Sequence, residues 1–298
     1  SYSLSLYVTL GYPTASLSVS LSTYSLPVAL ASGSEIEANG DNTNISIGLQ
    51  RLMYRDQKTR VSIVSDLTVK TSKNFLNTQL LVTSSRTLSI LKIGTNLTTS
   101  FWGNAASFDL AYSKGLEFLG ALNDEPDLPF WAPRAQFNKF TLTANLRRSF
   151  SLLDRNFSFS STLTAQNSQD TLYGSEQISI GGIYSVRGFT NSSISGDNGY
   201  FLRNELSYNP VLQIGNHSIP IRIYTGVDYG KVSSYPEGVP AGSLTGTFIG
   251  ASSTYKDLTV ELFITAPKDN DGQEFDDSLT ESFDSESTAT WFSLAYSF

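Results

Sequence analysis

Arg187 sits between Val186 and Gly188 in a Gly/Ser/Asn-rich stretch, residues 181–208, that reads GGIYSVRGFTNSSISGDNGYFLRNELSY. The glycine after the arginine frees the backbone, and strand-like runs flank the stretch, so the arginine is carried on a loop. In the strand that follows, Arg203 and Glu205 share one side with Phe201 and Ser207, while Tyr200, Leu202, Asn204, Leu206 and Tyr208 take the other. Two opposite charges on one side of a single strand require that side to be wet or internally paired. Arg222 and Asp228 share one side of the next strand, and Glu261 faces away from an apolar row further on. The chemistry open to these residues is ion pairing rather than bond-making.

Hydrolysis is not expected. The one histidine, His217, lies in a short turn between Gly215 and Pro220 with no nucleophile paired to it. No G-x-S-x-G, H-E-x-x-H or phosphate loop occurs. Asp269, Asp271, Asp276 and Asp277 make residues 268–286 acidic, but their spacing is not that of an EF-hand, so a solvated loop is expected there. The chain is therefore read as a non-enzyme with no metal and no cofactor.

The elements that must hold these charges are strands. Tyr2, Leu4, Leu6, Val8 and Leu10 alternate with Ser3, Ser5, Tyr7 and Thr9, and after a turn at 11–14, Ala15, Leu17, Val19 and Leu21 alternate with serines. Further runs of the same period fall at 43–54, 58–70, 87–101, 105–112, 137–150, 157–165, 200–209, 219–229, 244–255, 257–266 and 290–298. With the first two they predict thirteen strands and no helix. Short turns at 55–57, 102–104, 151–156, 210–218 and 256 alternate with longer polar loops at 32–42, 71–86, 113–136, 166–199, 230–243 and 267–289. Loops sorted by length onto opposite ends are the habit of an up-and-down antiparallel β-barrel in an outer membrane.

Composition fits that reading. Only 16% of residues are charged against 40% hydrophobic, with serine and threonine filling the difference. No run of about 18 apolar residues exists, which excludes a spanning helix but not a barrel strand of about 9 to 11 residues. Ile219, Ile221, Ile223 and Val227 face one way while Arg222, Tyr224, Gly226 and Asp228 face the other. Leu258, Val260, Leu262 and Ile264 likewise oppose Glu261. Arg203, Glu205, Arg222 and Glu261 are thus expected to face a polar lumen, since a Lys or Arg at the bilayer midplane costs about 2 to 4 kcal/mol. The absence of cysteine fits an oxidising compartment. A net charge of -7 with 20 scattered basic residues argues against nucleic acid.

If long loops face outside, the first strand starts at the outer end and the last finishes at the inner end. An even-stranded barrel would then need an odd number of strands upstream of Ser1. The chain closes on Trp291, Phe292, Ser293, Leu294, Ala295, Tyr296, Ser297 and Phe298. Alternation ending on Tyr296 and Phe298 resembles the C-terminal signal of bacterial outer-membrane barrels, which implies the barrel-assembly machinery as a partner in biogenesis.

Residues 181–189, GGIYSVRGF, with the later Gly199-Tyr200-Phe201-Leu202-Arg203-Asn204-Glu205-Leu206, resemble the sixth extracellular loop and following strand of the Omp85 superfamily. The Arg-Asn-Glu-Leu continuation is closer to the two-partner secretion (TpsB) transporters of haemolysin and contact-dependent-inhibition type. Gly226-Val227-Asp228-Tyr229-Gly230 resembles the family's second motif, x-x-Asp-x-Gly. The resemblance implies a sixteen-stranded barrel in the outer membrane of a Gram-negative bacterium, in contact with outer-membrane lipid. In such a barrel the loop at 166–199 folds inward, and Arg187, flanked by Val186, Gly188 and Phe189, pairs with Asp228 beside Gly226, Tyr229 and Gly230. It further implies export of a large, largely β-helical exoprotein (TpsA type) from periplasm to surface. Residues 1–298 would be the C-terminal part of the barrel, with periplasmic POTRA domains, plug helix and first strands lying outside this sequence. An Omp85 assembly factor, a passive porin and a soluble β-sandwich are the competing readings.

Overall fold

The computed structural model describes residues 2–9, 13–29, 35–189, 192–215, 217–233, 241–268 and 287–296. Strands are β1 (Tyr2–Thr9), β2 (Pro13–Ala29), β3 (Glu35–Arg55), β4 (Thr59–Leu76), β5 (Gln79–Leu80), β6 (Arg86–Phe101), β7 (Asn104–Leu116), β8 (Asn138–Leu152) and β9 (Arg155–Ser168). They continue as β10 (Ile178–Ile180), β11 (Ile194–Gly196), β12 (Asn198–Tyr208), β13 (Val211–Ile214), β14 (His217–Ser233), β15 (Gly242–Tyr255), β16 (Leu258–Lys268) and β17 (Ala289–Tyr296). The main sheet runs β1-β2-β3-β4-β6-β7-β8-β9-β12-β14-β15-β16-β17, each strand beside the next long one in sequence. These are the thirteen alternating runs of the sequence. The short β5 and β13 pair off this path, and β10 and β11 form a separate hairpin inside the connection from β9 to β12. A single 3-10 turn, Gly174–Glu176, is the helical content of the described residues.

Several strands outrun their hydrophobic pattern. β3 begins at Glu35, well inside the polar loop expected at 32–42, and keeps ladder register with β2 throughout. Over residues 37–44 both faces carry only polar or small side chains, so the apolar row of Ile45, Ile47 and Leu49 stops there while the backbone pairing continues. The turn expected at 210–218 is likewise a hairpin, in which Val211, Leu212, Gln213 and Ile214 pair with Pro220, Ile219, Ser218 and His217. The loop at 71–86 holds the end of β4 and all of β5, turning at Asn77 and Thr78 with φ of 44° and 70°. Two consecutive left-handed residues match the twist of the flanking strands.

Two compact units make up the chain. One comprises residues 1–97 and 110–140, and the other residues 98–109 and 141–298. In the first, Leu6, Leu17, Ile47 and Leu67 lie in one cross-strand row, and Leu6, Leu17 and Ile47 are exposed. In the second, Leu206, Thr225, Ile249 and Ile264 form a similar row, and Tyr208, Ile223, Ala251, Leu262 and Phe292 another. Large apolar side chains on the solvent-accessible face, opposite a polar one, are the pattern that hydrocarbon contact requires.

Candidate functional site

The site is built on the polar face of β12, β14 and β15, with the long connection from β9 to β12 laid across it. The register sets Arg203 opposite Asp228, Asp228 opposite Gly246, Glu205 opposite Gly226 and Gly226 opposite Phe248. All of these point to the same face.

The connection brings its own small core. Ile178, Ile180, Val186, Phe189 and Ile194 are buried against Val232 and Leu244, with Phe201 packed beside them. Val232 and Leu244 have the parity of Asp228, so they are apolar residues on a nominally polar face. The loop's hydrophobic underside is what covers them. The base of the connection is fixed by Asp197, fully buried, whose carboxylate accepts from the Leu172 amide at 2.8 Å and from Gln177 Nε2 at 3.1 Å. Within the loop, the Gly182 amide donates to the Phe189 carbonyl at 2.7 Å, closing a ring of residues around Arg187.

Two glycines let the arginine descend. Gly188 has φ of +120°, a region costly for any L side chain, and a Cβ there would also lie 2.8 Å from the Ala266 carbonyl. Gly246 lies directly beneath the loop, where a Cβ would come within 1.6 Å of the Arg187 carbonyl oxygen. Gly230, under Ile180 and Val186, and Gly226, under Phe248, complete a smooth floor.

Arg187 then docks. Its Nε donates to Asp228 Oδ2 at 2.6 Å and its Nη2 to Asp228 Oδ1 at 2.8 Å, a two-pronged pairing, while its backbone amide donates to Oδ2 at 3.1 Å. Nη1 reaches Glu205 Oε2 at 3.2 Å, and the guanidinium carbon lies 3.4 Å from the centre of the Phe248 ring. Arg187 is 7% exposed and Asp228 0%. Such bidentate charge-assisted bonds are among the strongest side-chain contacts. With both groups desolvated, removing one partner strands a buried charge and costs about 3–5 kcal/mol.

The charge continues along the face. Glu205 also pairs with Arg222, whose guanidinium lies 4.3 Å from the centre of the Tyr224 ring, and the Tyr224 hydroxyl donates to Glu261 at 2.7 Å. Arg203 Nη1 donates to the Tyr184 carbonyl at 3.2 Å, tying a second point of the loop to β12. Three arginines and three carboxylates thus balance.

Not every residue picked from sequence lies here. Val186 and Phe189 belong to the loop's core, but Tyr229 points to the opposite face, its ring 6.0 Å from that of Tyr200. Tyr296 lies exposed in β17, whereas Phe298 and the aspartates at 269, 271, 276 and 277 fall outside the described residues. His217 is not in a turn. It opens β14, paired across the ladder with Ile214 and 2.9 Å from the Tyr255 hydroxyl through Nδ1. Gly246, Phe248 and Asp197 were missed by reading motifs alone, whereas Tyr224 lies on the polar face as its parity predicts. Apolar or small residues at Val232, Leu244, Gly246 and Phe248, all of polar-face parity, are the signal that something apolar lies on top of them.

A meander of antiparallel strands, exposed and apolar on one face, with a loop latched onto the other, defines a transmembrane β-barrel. Residues 1–253 match the model of the haemolysin secretion/activation protein ShlB/FhaC/HecB family, and the chain belongs to that family. It is 34% identical over 77% of its length to the outer membrane transporter CdiB of Dickeya dadantii (strain 3937), and 33% identical over 66% to the hemolysin transporter protein HpmB of Proteus mirabilis. It superposes on the solved structure of CdiB from Escherichia coli with a TM-score of 0.86 at 27% identity, covering 99% of this chain and 52% of that one. The chain spans only part of these curated relatives, 40% of the Dickeya protein and 34% of the Proteus one.

Proposed function

We propose that this chain is the pore-forming part of a two-partner secretion transporter in the outer membrane of a Gram-negative bacterium, exporting a large β-helical exoprotein from periplasm to surface. Residues 1–298 are read as barrel, with substrate capture belonging to segments outside this sequence. The barrel-assembly machinery inserts it, with Tyr296 and Phe298 as its signal.

The observation that carries the reading is the loop of residues 169–197, held on the polar face by Arg187 and Asp228 in a member of a secretion family. A wall of serine, threonine and asparagine offers weak, exchangeable hydrogen bonds to an extended chain. Arg187, Asp228, Glu205 and Arg222 do not hold it, because they are paired with one another. Drive comes from the substrate folding outside, and no nucleotide is required. On this reading Arg187 and Asp228 set the loop that the passing chain must negotiate, and Arg203, Glu205, Arg222 and Glu261 line its path.

The test is secretion of the cognate exoprotein alongside conductance of the purified barrel, for wild type and Arg187→Ala. The expected mutant inserts, conducts differently and exports poorly. Export at the wild-type rate removes the latch from the mechanism. Normal exoprotein secretion in a strain lacking the chain, with a fall in other outer-membrane barrels, replaces the transport reading with an assembly factor.

A further inference from the structure

β12 and β13 form one run against the same partner. Register with β14 carries straight through Pro210, from Tyr208 opposite Ile223 to Val211 opposite Pro220 and Ile214 opposite His217. On the other side, the ladder with β9 ends at Tyr208 and Phe157, with one further bond at 3.0 Å from the Asn209 amide to the Asn156 carbonyl. β9 starts at Arg155, so that side of Val211–Ile214 has no neighbouring strand among the described residues. β13 is an open edge.

Which groups face that edge follows from alternation. The Ile221 amide donates to the Pro210 carbonyl at 2.9 Å, so Pro210, Leu212 and Ile214 turn their backbone groups toward β14. Asn209 turns toward β9, and Val211 and Gln213 turn the same way, each presenting one N–H and one C=O to the open side. Unpaired backbone groups are not left in hydrocarbon, so this edge stands in water. Its side chains are nevertheless apolar: Val211 is 57% exposed, Leu212 46% and Ile214 54%.

Natural sheets blunt such edges with charges, bulges or proline. The β3–β4 hairpin has a register shift between Leu52 and Tyr54 and carries Arg55, Asp56, Lys58 and Arg60. The β8–β9 turn carries Asp154 and Arg155, and the β15–β16 turn Lys256 and Asp257. From Leu206 to Ile221, by contrast, there is no Asp, Glu, Lys or Arg. Neither proline of the hairpin guards the open side, because Pro210 faces β14 and Pro220 belongs to the other strand.

We propose that the open edge of β13 takes up a segment of the exported chain as an added strand, through the backbone of Val211 and Gln213, before that segment enters the pore. This rests on the secretion reading, which places an unfolded, β-forming chain at the end of β12 opposite the latched loop. Backbone pairing suits a long substrate because it selects extended conformation rather than sequence, and the uncharged apolar rim matches the alternating side chains of a strand not yet folded. Two residues offer few bonds, so the segment is released as readily as it is held.

The probe is the secreted protein that disappears from the medium when this chain is deleted. In cells making the complete transporter, a photocrosslinking amino acid in place of Leu212 should trap that protein, and one in place of Trp102, exposed in the β6–β7 turn, should not. Gln213→Pro removes one donor from the open side and none from the ladder with β14. It should lower both crosslinking and secretion about fivefold, the weight of one backbone hydrogen bond. Gln213→Ala should behave as wild type. Val211→Lys, a charge on the open strand, should reproduce the proline effect, and it decides the matter if the proline variant does not insert. Unchanged heat-modifiable gel mobility and protection of Arg187 from trypsin establish folding. Wild-type secretion by either folded variant overturns the proposal, as does an equal loss in Gln213→Ala, or capture at Leu212 of a second copy or of an envelope protein that is not secreted. If no secreted protein depends on the chain, the secretion reading falls and takes this proposal with it.

Discussion

The guanidinium carbon of Arg187 lies 3.4 Å from the centre of the Phe248 ring, while the same group holds Asp228 through Nε and Nη2. The cation is thus bounded by a π face as well as by carboxylates, in a place where water does not compete. A contact of this kind is worth about 2 kcal/mol when desolvated. Phe248→Leu keeps an apolar side chain, at some loss of volume, but removes the quadrupole. It should lower the stability of the purified barrel in urea by about 1–2 kcal/mol. A midpoint equal to wild type would assign the ring to packing alone.

The latch itself has a direct readout in proteolysis. Arg187 is buried, so trypsin should not cleave after it in the wild type, whereas Asp228→Asn leaves the guanidinium facing Glu205 alone and should release the loop to cleavage. In urea, Arg187→Ala and Asp228→Ala should each cost about 3–5 kcal/mol, with the double mutant far less destabilised than their sum. Arg187→Lys keeps the charge but not the fork, and should recover only part of the loss. Additive single and double mutants would show that the two residues act separately.

Gly246 is the least conspicuous part of the site. A Cβ at this position would come within 1.6 Å of the Arg187 carbonyl, a backbone atom that cannot swing away. Gly246→Ala should therefore lift the loop while leaving both charges in place, at a cost of about 1–3 kcal/mol, the usual penalty of overpacking. Tryptic cleavage after Arg187 in this variant, as in Asp228→Asn, is the expected result. Full protection would mean that β15 yields instead.

Motif and period made much of this legible. The alternation that separates Ile223 and Val227 from Arg222 and Asp228 is a direct image of a two-faced strand, and it located the thirteen long strands of the described residues. It could not place their ends, because in residues 37–44 the apolar row of Ile45, Ile47 and Leu49 gives way to polar and small residues on both faces. It also could not find the loop's floor. Gly246 and Phe248 matter through what descends on them, a tertiary contact with no local signature. Val232 and Leu244 did leave a trace, as apolar side chains on the wrong face of their strands, legible only once a covering loop is considered. Tyr229 lies within a motif, but its odd position turns its side chain to the apolar face, beside Tyr200.

The charge arrangement makes a final prediction that a simple pair would not. Exchanging the partners, Arg187→Asp with Asp228→Arg, ordinarily tests an ion pair by restoring attraction. Here Asp228 lies opposite Arg203 in the ladder, and Arg187 also holds Glu205. The exchange would set arginine against arginine across β12 and β14, and aspartate against Glu205, both destabilising juxtapositions. Neither repulsion has water to screen it, since Asp228 is fully buried. The exchanged protein should therefore be no more stable in urea, and no better protected from cleavage at residues 182–189, than Arg187→Ala alone. Adding Arg203→Glu and Glu205→Arg to the exchange should recover part of the loss, because it rebalances both neighbours. Full recovery by the two-residue exchange alone would show that Arg187 and Asp228 form an isolated pair.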